Sequence, residues 1–477
     1  MKTFNKKSLF LALAGVSALG AVGAAEAQVQ ISPNGLGQVL LYPYYTTRTA
    51  TTGEFNTLIS VVNSTGSTKA VKVRFREPKA SVEVLDFNLF LSPYDVWTGW
   101  LEKSGDGVIL KTDDKSCTIP TITATNGKFR NESYKSDAAN DAGLDRLREG
   151  YFEMIEMATY TDGSDVATNV KHSSAGVPPG CSKLQLVTYT KVHSEALAPN
   201  GGLTGTVQLV QPGSGFNSAT DPTVLINFTK TQIYKDPNLD TPNLGDGDDF
   251  GVVKMDDGNV IHGSFANSQD AVSAVLMKGD VLNEFMMEPS VDGATEWLVT
   301  FPTKHFYVSP NGGAPSKIFT EGMSSTGSCD EYQLDTHDRE EATFTPGGFD
   351  FSPSPQGENP TLCWEVNVLA FAGPTPSVKG SNPFAAHLAE TVDVKYRTGW
   401  AQLNFLPKPA ALLAGANTLV VLNTFSTPYT TSIGSSYTGL PAIGFATQLF
   451  RPASGSSYAG TFYHRFHADY PTFSVGK

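Results

Sequence analysis

The chain has 477 residues, 17% of them charged, with a formal net charge of −13 at pH 7 and four cysteines. An excess of carboxylates and the lack of any basic run repel polyanions, which excludes nucleic acid and anionic membrane surfaces as natural partners. The length suffices for two or three domains, each with its own core.

Residues 1–27 carry Lys2, Lys6 and Lys7, then the apolar run LFLALAGVSALGAVGAA, then Ala25-Glu26-Ala27 ahead of Gln28. A basic start, a short apolar run and a small-x-small end form the pattern of a secretory signal peptide. The run is too rich in Gly and Ala for a lasting anchor, and after its removal no stretch is expected to cross a bilayer as a helix. The mature chain is therefore expected to be secreted, at the cell surface or extracellular, with the periplasm as the other compartment open to it. In such a chain an even number of cysteines reads as disulfides, and the simplest of three connectivities is local: Cys117 with Cys181, Cys329 with Cys363. The absence of any Cys-x-x-Cys pair argues against a four-cysteine metal centre.

In chain order, VLLYPYY is followed by NTLISVVNSTGSTKAVKVRFR at 56–76. There Val71, Val73 and Phe75 alternate with Lys72, Arg74 and Arg76, the period of a strand with one buried face and one expected to be wet. Asn63–Ser67 offers a hairpin connection, because Gly66 can take positive φ. Leu85, Phe87, Leu89 and Leu91 then share one side of a strand, with Asp86 and Asn88 on the other, until Ser92-Pro93 ends it. Residues 103–192 interrupt the alternation. We read them as an insertion, tied at its ends by the first disulfide, with a short helix in SDAANDAGLDRLREG and strands in GYFEMIEMATY and CSKLQLVTYTKV. Strands TGTVQLVQ and TVLINFTK complete an N-terminal β-sandwich region over 28–235.

Residues 236–262 read as an acidic loop or linker. The stretch DPNLDTPNLGDGDDFGVVKMDD holds seven aspartates against one lysine, and Pro237 and Pro242 block regular structure. Asp236, Asn238 and Asp240 place oxygen ligands at alternate positions, as calcium loops do, and Asp246, Asp248 and Asp249 add carboxylates. The EF-hand pattern breaks at Thr241, where glycine is expected, and at Gly247, where glutamate is, so the cofactor suggested is Ca²⁺ in a site of another kind. The C-terminal β-rich region, 263–477, opens with two expected short helices in SQDAVSAVLMKGDVLNEFMME, divided at Gly279. Strands TEWLVTFPTKHFYV, LCWEVNVLAF, GWAQLNFL, NTLVVLNTF and IGFATQLF follow. Asp95-Val96-Trp97-Thr98-Gly99-Trp100 is echoed by Asp393-Val394 and Thr398-Gly399-Trp400, a hint of a duplicated sandwich whose two copies are unequally spaced.

VLLYPYY, KAVKVRFRE, VLDFNLFLSPYDVWTG, GYFEMIEM, TEWLVTFPTKHFYV, LCWEVNVLAF and GLPAIGFATQLF together resemble a family of exported proteobacterial proteins sometimes labelled cell-surface or surface-layer proteins. The resemblance spans most of the mature chain and implies an exported β-rich protein; it carries no catalytic residues to transfer.

Motifs for chemistry are sparse. The nearest approach to a nucleophile elbow, Gly322–Gly327, is one residue too long, and no phosphate loop, dinucleotide fingerprint or His-Glu-x-x-His occurs. His464 and His467, with Asp469 near, sit three apart, which on a strand means opposite faces. His305 reads as a strand residue. His337–Glu341 reads as a charged loop inside the second disulfide ring, its adjacent carboxylates not established as a catalytic pair. Tyr42, Tyr44, Tyr45, Trp97 and Trp100 would suit either an aromatic platform for sugars or an ordinary core. The expected fold is mainly β, two sandwich-like (immunoglobulin-like) regions with a few short helices and two disulfides. The expected function is a non-enzymatic structural protein of the cell surface or extracellular matrix, associating with itself or other envelope components through strand edges. A carbohydrate- or ligand-binding adhesin is the alternative, ahead of an enzyme or an outer-membrane barrel.

Overall fold

The computed structural model describes residues 28–50, 53–137, 142–254, 260–308, 318–319, 322–344, 360–373, 383–405, 418–420, 423–426, 430–432, 436–451 and 455–467. The signal peptide and Asp469 lie outside them.

The chain is mainly β. Its N-terminal half uses β1 Gln30–Ile31, β2 Val39–Thr46, β3 Asn56–Asn63, β4 Thr68–Arg76, β5 Glu83–Leu91, β6 Val96–Ser104, β7 Gly107–Lys111, β8 Cys117–Ile119, β9 Glu149–Tyr160, β10 Leu203–Gln211, β11 Phe216–Thr220 and β12 Thr223–Ile226. These make a seven-stranded sheet, ordered β1-β12-β2-β9-β4-β5-β8, and a five-stranded one, ordered β11-β10-β3-β6-β7. The period-two pattern decides their packing: Val71, Val73, Phe87 and Leu89 of the first sheet meet Ile59, Val61, Trp97 and Leu209 of the second in one core.

The C-terminal half uses β13 Asp280–Met286, β14 Ala294–Thr300, β15 Asp330–His337, β16 Val366–Ala372, β17 Ala389–Asp393, β18 Thr398–Phe405, β19 Ile443–Phe450 and β20 Tyr458–Tyr463. One sheet is ordered β17-β16-β14-β19-β20, and β13-β18-β15 form the body of another. They too pack face to face, with Phe285 of β13 and Trp297 of β14 both against Phe371 of β16 at 5.4 and 5.0 Å between ring centres.

The two halves repeat one pairing scheme. β3 pairs antiparallel with β6 as β13 does with β18. β4 pairs with β5 and β9 as β14 does with β16 and β19. In each half a late segment returns to an early strand: β10 ladders along β3, and Arg465, just past β20, bridges Leu282 of β13. In this scheme the two Thr-Gly-Trp triplets fall at the same place. Gly99 faces buried Ile59, and Gly399 faces buried Phe285. The halves share a core, with Leu298 and Phe445 in the same cluster as Tyr44 and Phe55, and Phe384 wedged among Tyr44, Phe55 and Phe216 at 5.5–5.8 Å.

Both expected disulfides are formed, Cys117–Cys181 and Cys329–Cys363. Four local expectations are corrected. CSKLQLVTYTKV is not a strand: Cys181–Leu184 and Lys191–Ser194 are single helical turns. Leu184, Tyr189 and Val192 cover the outer face of the large sheet beside Phe90 and Tyr160, while Leu186 and Val187 point to solvent. After the helix Ser268–Leu276, capped by Asn267 as its sequence implies, the second expected helix is strand β13. Val281, Asn283 and Phe285 alternate inward there, a period-two signal that the apolar count alone disguises. The short helix expected before Gly150 is a 3₁₀ turn, Leu144–Arg148, that gives way to β9 at Glu149. His305–Val308 closes its strand segment as a helical turn.

Candidate functional site

The strongest departure from the alternation reading is at β4. Its charged side is not wet: Lys72 is fully buried and Arg74 and Arg76 nearly so, and Lys69, on the opposite side with Val71 and Val73, is fully buried as well. The neighbouring strands carry the counter-charges, each one diagonal step from its partner along the ladder. Lys69 meets Glu156 at 2.6 Å, Arg74 meets Glu83 at 2.6 Å, Arg76 meets Glu153 at 3.2 Å, and Lys72 meets Asp86. Burial pushes the Lys69 amine down and the Glu156 carboxyl up, the two directions expected when a pair leaves water together. Hints lay in the sequence, since β4 carries only cations and β5 and β9 only carboxylates among their charges, so the signs are complementary.

The acidic loop lies over this charged face. Backbone carbonyls of Leu239 and Pro242 accept from Lys72 and Arg74 at 2.8 and 3.1 Å, and that of Lys235 accepts from Asn88 at 2.9 Å. Leu244 anchors the loop in the core. Its side chains disperse. Asp236 pairs with His193 at 3.0 Å, Asp246 accepts the amide of Asn243, and Asp248 accepts from Thr229. Asp240 and Asp249 are exposed, and Asn238 turns toward a surface cleft. Among the described residues, no three His, Cys, Asp or Glu side chains converge as metal ligands.

That cleft, of about 430 Å³, is lined by Glu83, Asp86, Asn126, Arg130, Glu132 and Asn238. Burial, with the nearby Glu83 charge adding to it, raises Asp86 to about 6.

Other residues singled out from sequence are separated. Tyr42, Tyr44, Tyr45 and Trp97 are fully buried, so no platform unites them. Tyr44 donates to Glu149 at 2.8 Å, and Tyr45 to the Leu147 carbonyl at 3.1 Å. Trp100 alone of the five turns outward, beside exposed Leu58, its indole N–H donating to Glu102. Its counterpart in the second half, Trp400, is 39% exposed and stacks on His337 at 4.2 Å. His464 and His467 diverge. The His464 ring accepts from the Asn283 amide and donates to the Leu298 carbonyl at 3.0 Å, and burial holds it down at about 3; His467 contacts Asp280 at 2.7 Å. His305 is held well below its ordinary range by burial. Ser324 is occupied by the Gly327 carbonyl at 2.8 Å.

Sequence reading missed a second cavity, of about 240 Å³, between the two halves. Lys278, from a two-residue strand paired with Leu440-Pro441, enters it beside His464 and Tyr463. A lone lysine in an ordinary-looking segment carries no signal of this kind.

Comparison with family models, curated proteins and solved structures returned no match.

Proposed function

We propose that the mature chain is an exported structural protein of the cell surface or extracellular matrix that associates with copies of itself by strand addition. The observation that carries this reading is β17. It is the end strand of its sheet, pairs along one side with β16 in the parallel sense, and exposes Glu390, Thr391 and Asp393. Two other sheet ends have a neighbour against them. The backbone of Gly127 and Phe129 pairs with Leu110 and Val108 of β7, and β11 lies against β20 through Ser218 and Thr461. A strand with one side unpaired among the described residues is a template for another chain. The leader-like first 27 residues support export.

The test is assembly of purified mature chain, followed by light scattering and electron microscopy over a range of concentration. Concentration-dependent growth is expected, and Thr391→Lys should prevent it without lowering the melting temperature. A monomer at every concentration defeats the reading.

A second reading, a carbohydrate-binding adhesin, is favoured by Trp100 and Trp400, which stand at matching positions on the outer faces of two sheets. An indole face suits stacking on a sugar ring. Loss of glycan-array binding in Trp100→Ala and Trp400→Ala variants would support it; an array without hits would count against it.

A further inference from the structure

The cavity between the halves has a built-in chemical demand. Its walls include Val281, Val299 and Ile443, contributed by β13, β14 and β19. Lys278 is 8% exposed, and among the described residues its ammonium reaches only the Ala442 carbonyl and, at 4.9 Å, the ring of Phe466. Among the described residues no carboxylate lies within ion-pair distance of it. The other titratable groups facing the space are already engaged. Burial keeps His464 neutral while Asn283 and Leu298 engage its ring, and the Tyr463 hydroxyl is engaged by Thr220 and Asp221. A buried cation without a counter-charge is costly, whereas the ion pairs beneath the acidic loop are matched throughout. Burial accordingly lowers the Lys278 amine to about 7.

We propose that this cavity binds a small apolar molecule carrying a carboxylate, the head ion-paired with Lys278 and the tail against Val281, Val299 and Ile443. An apolar pocket with one placed polar group is the usual form of a small-molecule site. The volume, below the drug-sized range, selects a short chain. The chain's net charge of −13 disfavours anions at long range, but at about 0.15 M salt that field is screened beyond ~8 Å, while a contact pair inside the cavity is not.

The test is calorimetric titration of the mature chain with octanoate and with octan-1-ol at physiological ionic strength. Octanoate is expected to bind at least tenfold more tightly than the alcohol. Lys278→Met, which keeps the bulk and removes the charge, should weaken octanoate at least tenfold and leave the alcohol unchanged. At pH 8 octanoate should be bound with proton uptake as Lys278 recharges, read by comparing phosphate with Tris; this measurement needs no variant and serves if Lys278→Met does not fold. Equal binding of acid and alcohol, undiminished octanoate binding by Lys278→Met, absence of proton uptake, or no heat at all overturns the proposal.

Discussion

Lys69 and Glu156, on adjacent strands, hold their charged ends 2.6 Å apart with no solvent exposure on either side chain. Glu156 also accepts the amides of Asn200 and Gly201 at 3.2 and 2.8 Å, so the pair ties the sheet to the loop entering β10. Removing one partner leaves the other buried and uncompensated. Lys69→Met is therefore expected to cost about 3–5 kcal/mol of stability, and Lys69→Met with Glu156→Leu much less than the sum of the single changes. Urea denaturation of the two single variants and the double variant measures the coupling. Additive losses would mean the pair is not acting as a unit.

Glu365 sits where the halves meet, its own carbonyl accepting from Phe301 at 2.8 Å and its amide donating to Lys79 at 3.3 Å. Burial, against the pull of Lys304, raises its carboxyl to about 8. A raised carboxyl holds its proton more firmly folded than unfolded. Its contribution is complete below about pH 4.5 and is lost as the pH climbs through 8, a change on the order of 5 kcal/mol. Glu365→Gln should flatten the stability profile over that window and melt higher than the parent at pH 8. An unchanged profile from pH 5 to 8 would refute this.

The glycines of the two Thr-Gly-Trp triplets are tested by their neighbours. A Cβ on Gly399 would lie 1.9 Å from the His337 carbonyl oxygen, and one on Gly99 would lie 2.6 Å from the ring of Trp97. Neither backbone ladder nor buried indole yields easily. Alanine at either position is expected to cost about 2 kcal/mol, seen as a lower melting temperature. Melting unchanged in both would remove the steric reason for the repeated glycine.

The disulfides close rings with sequence separations of 64 and 34 residues. Chain entropy assigns each about 4 kcal/mol. Cys117→Ala with Cys181→Ala should free the two helical turns from the large sheet, and hydrogen exchange should rise first at Leu184–Val192. If exchange rises uniformly instead, the bridge stabilises the whole fold rather than this cover.

Much of the architecture was legible from sequence, because a buried sheet face needs an apolar residue at every second place whatever lies opposite. The four cysteines likewise paired as their spacing suggested, since the nearest partner closes the smaller ring. Strands β4, β5 and β9 were readable as strands but not as to what covered them. Alternation reports two unlike faces, and a charged face is solvated or buried according to whether another strand and a loop bring counter-charges to it. Asp280–Met286 failed for a related reason: a short apolar segment fits either period until a neighbour, here β18, supplies the ladder.

Sequence by itself therefore determined most of the strand-forming segments and the repeated Thr-Gly-Trp triplet, and made the local cysteine pairing the simplest of three, all of which rest on local pattern or composition. Only the tertiary structure decided that the acidic loop caps a buried ionic face, that the side carrying Trp97 rather than Trp100 is the buried one, and that Lys278 stands between the halves with no carboxylate of the described residues beside it. Those outcomes depend on groups far apart in the chain, and electrostatic energy is set by distance and burial in space, which no short stretch of residues encodes.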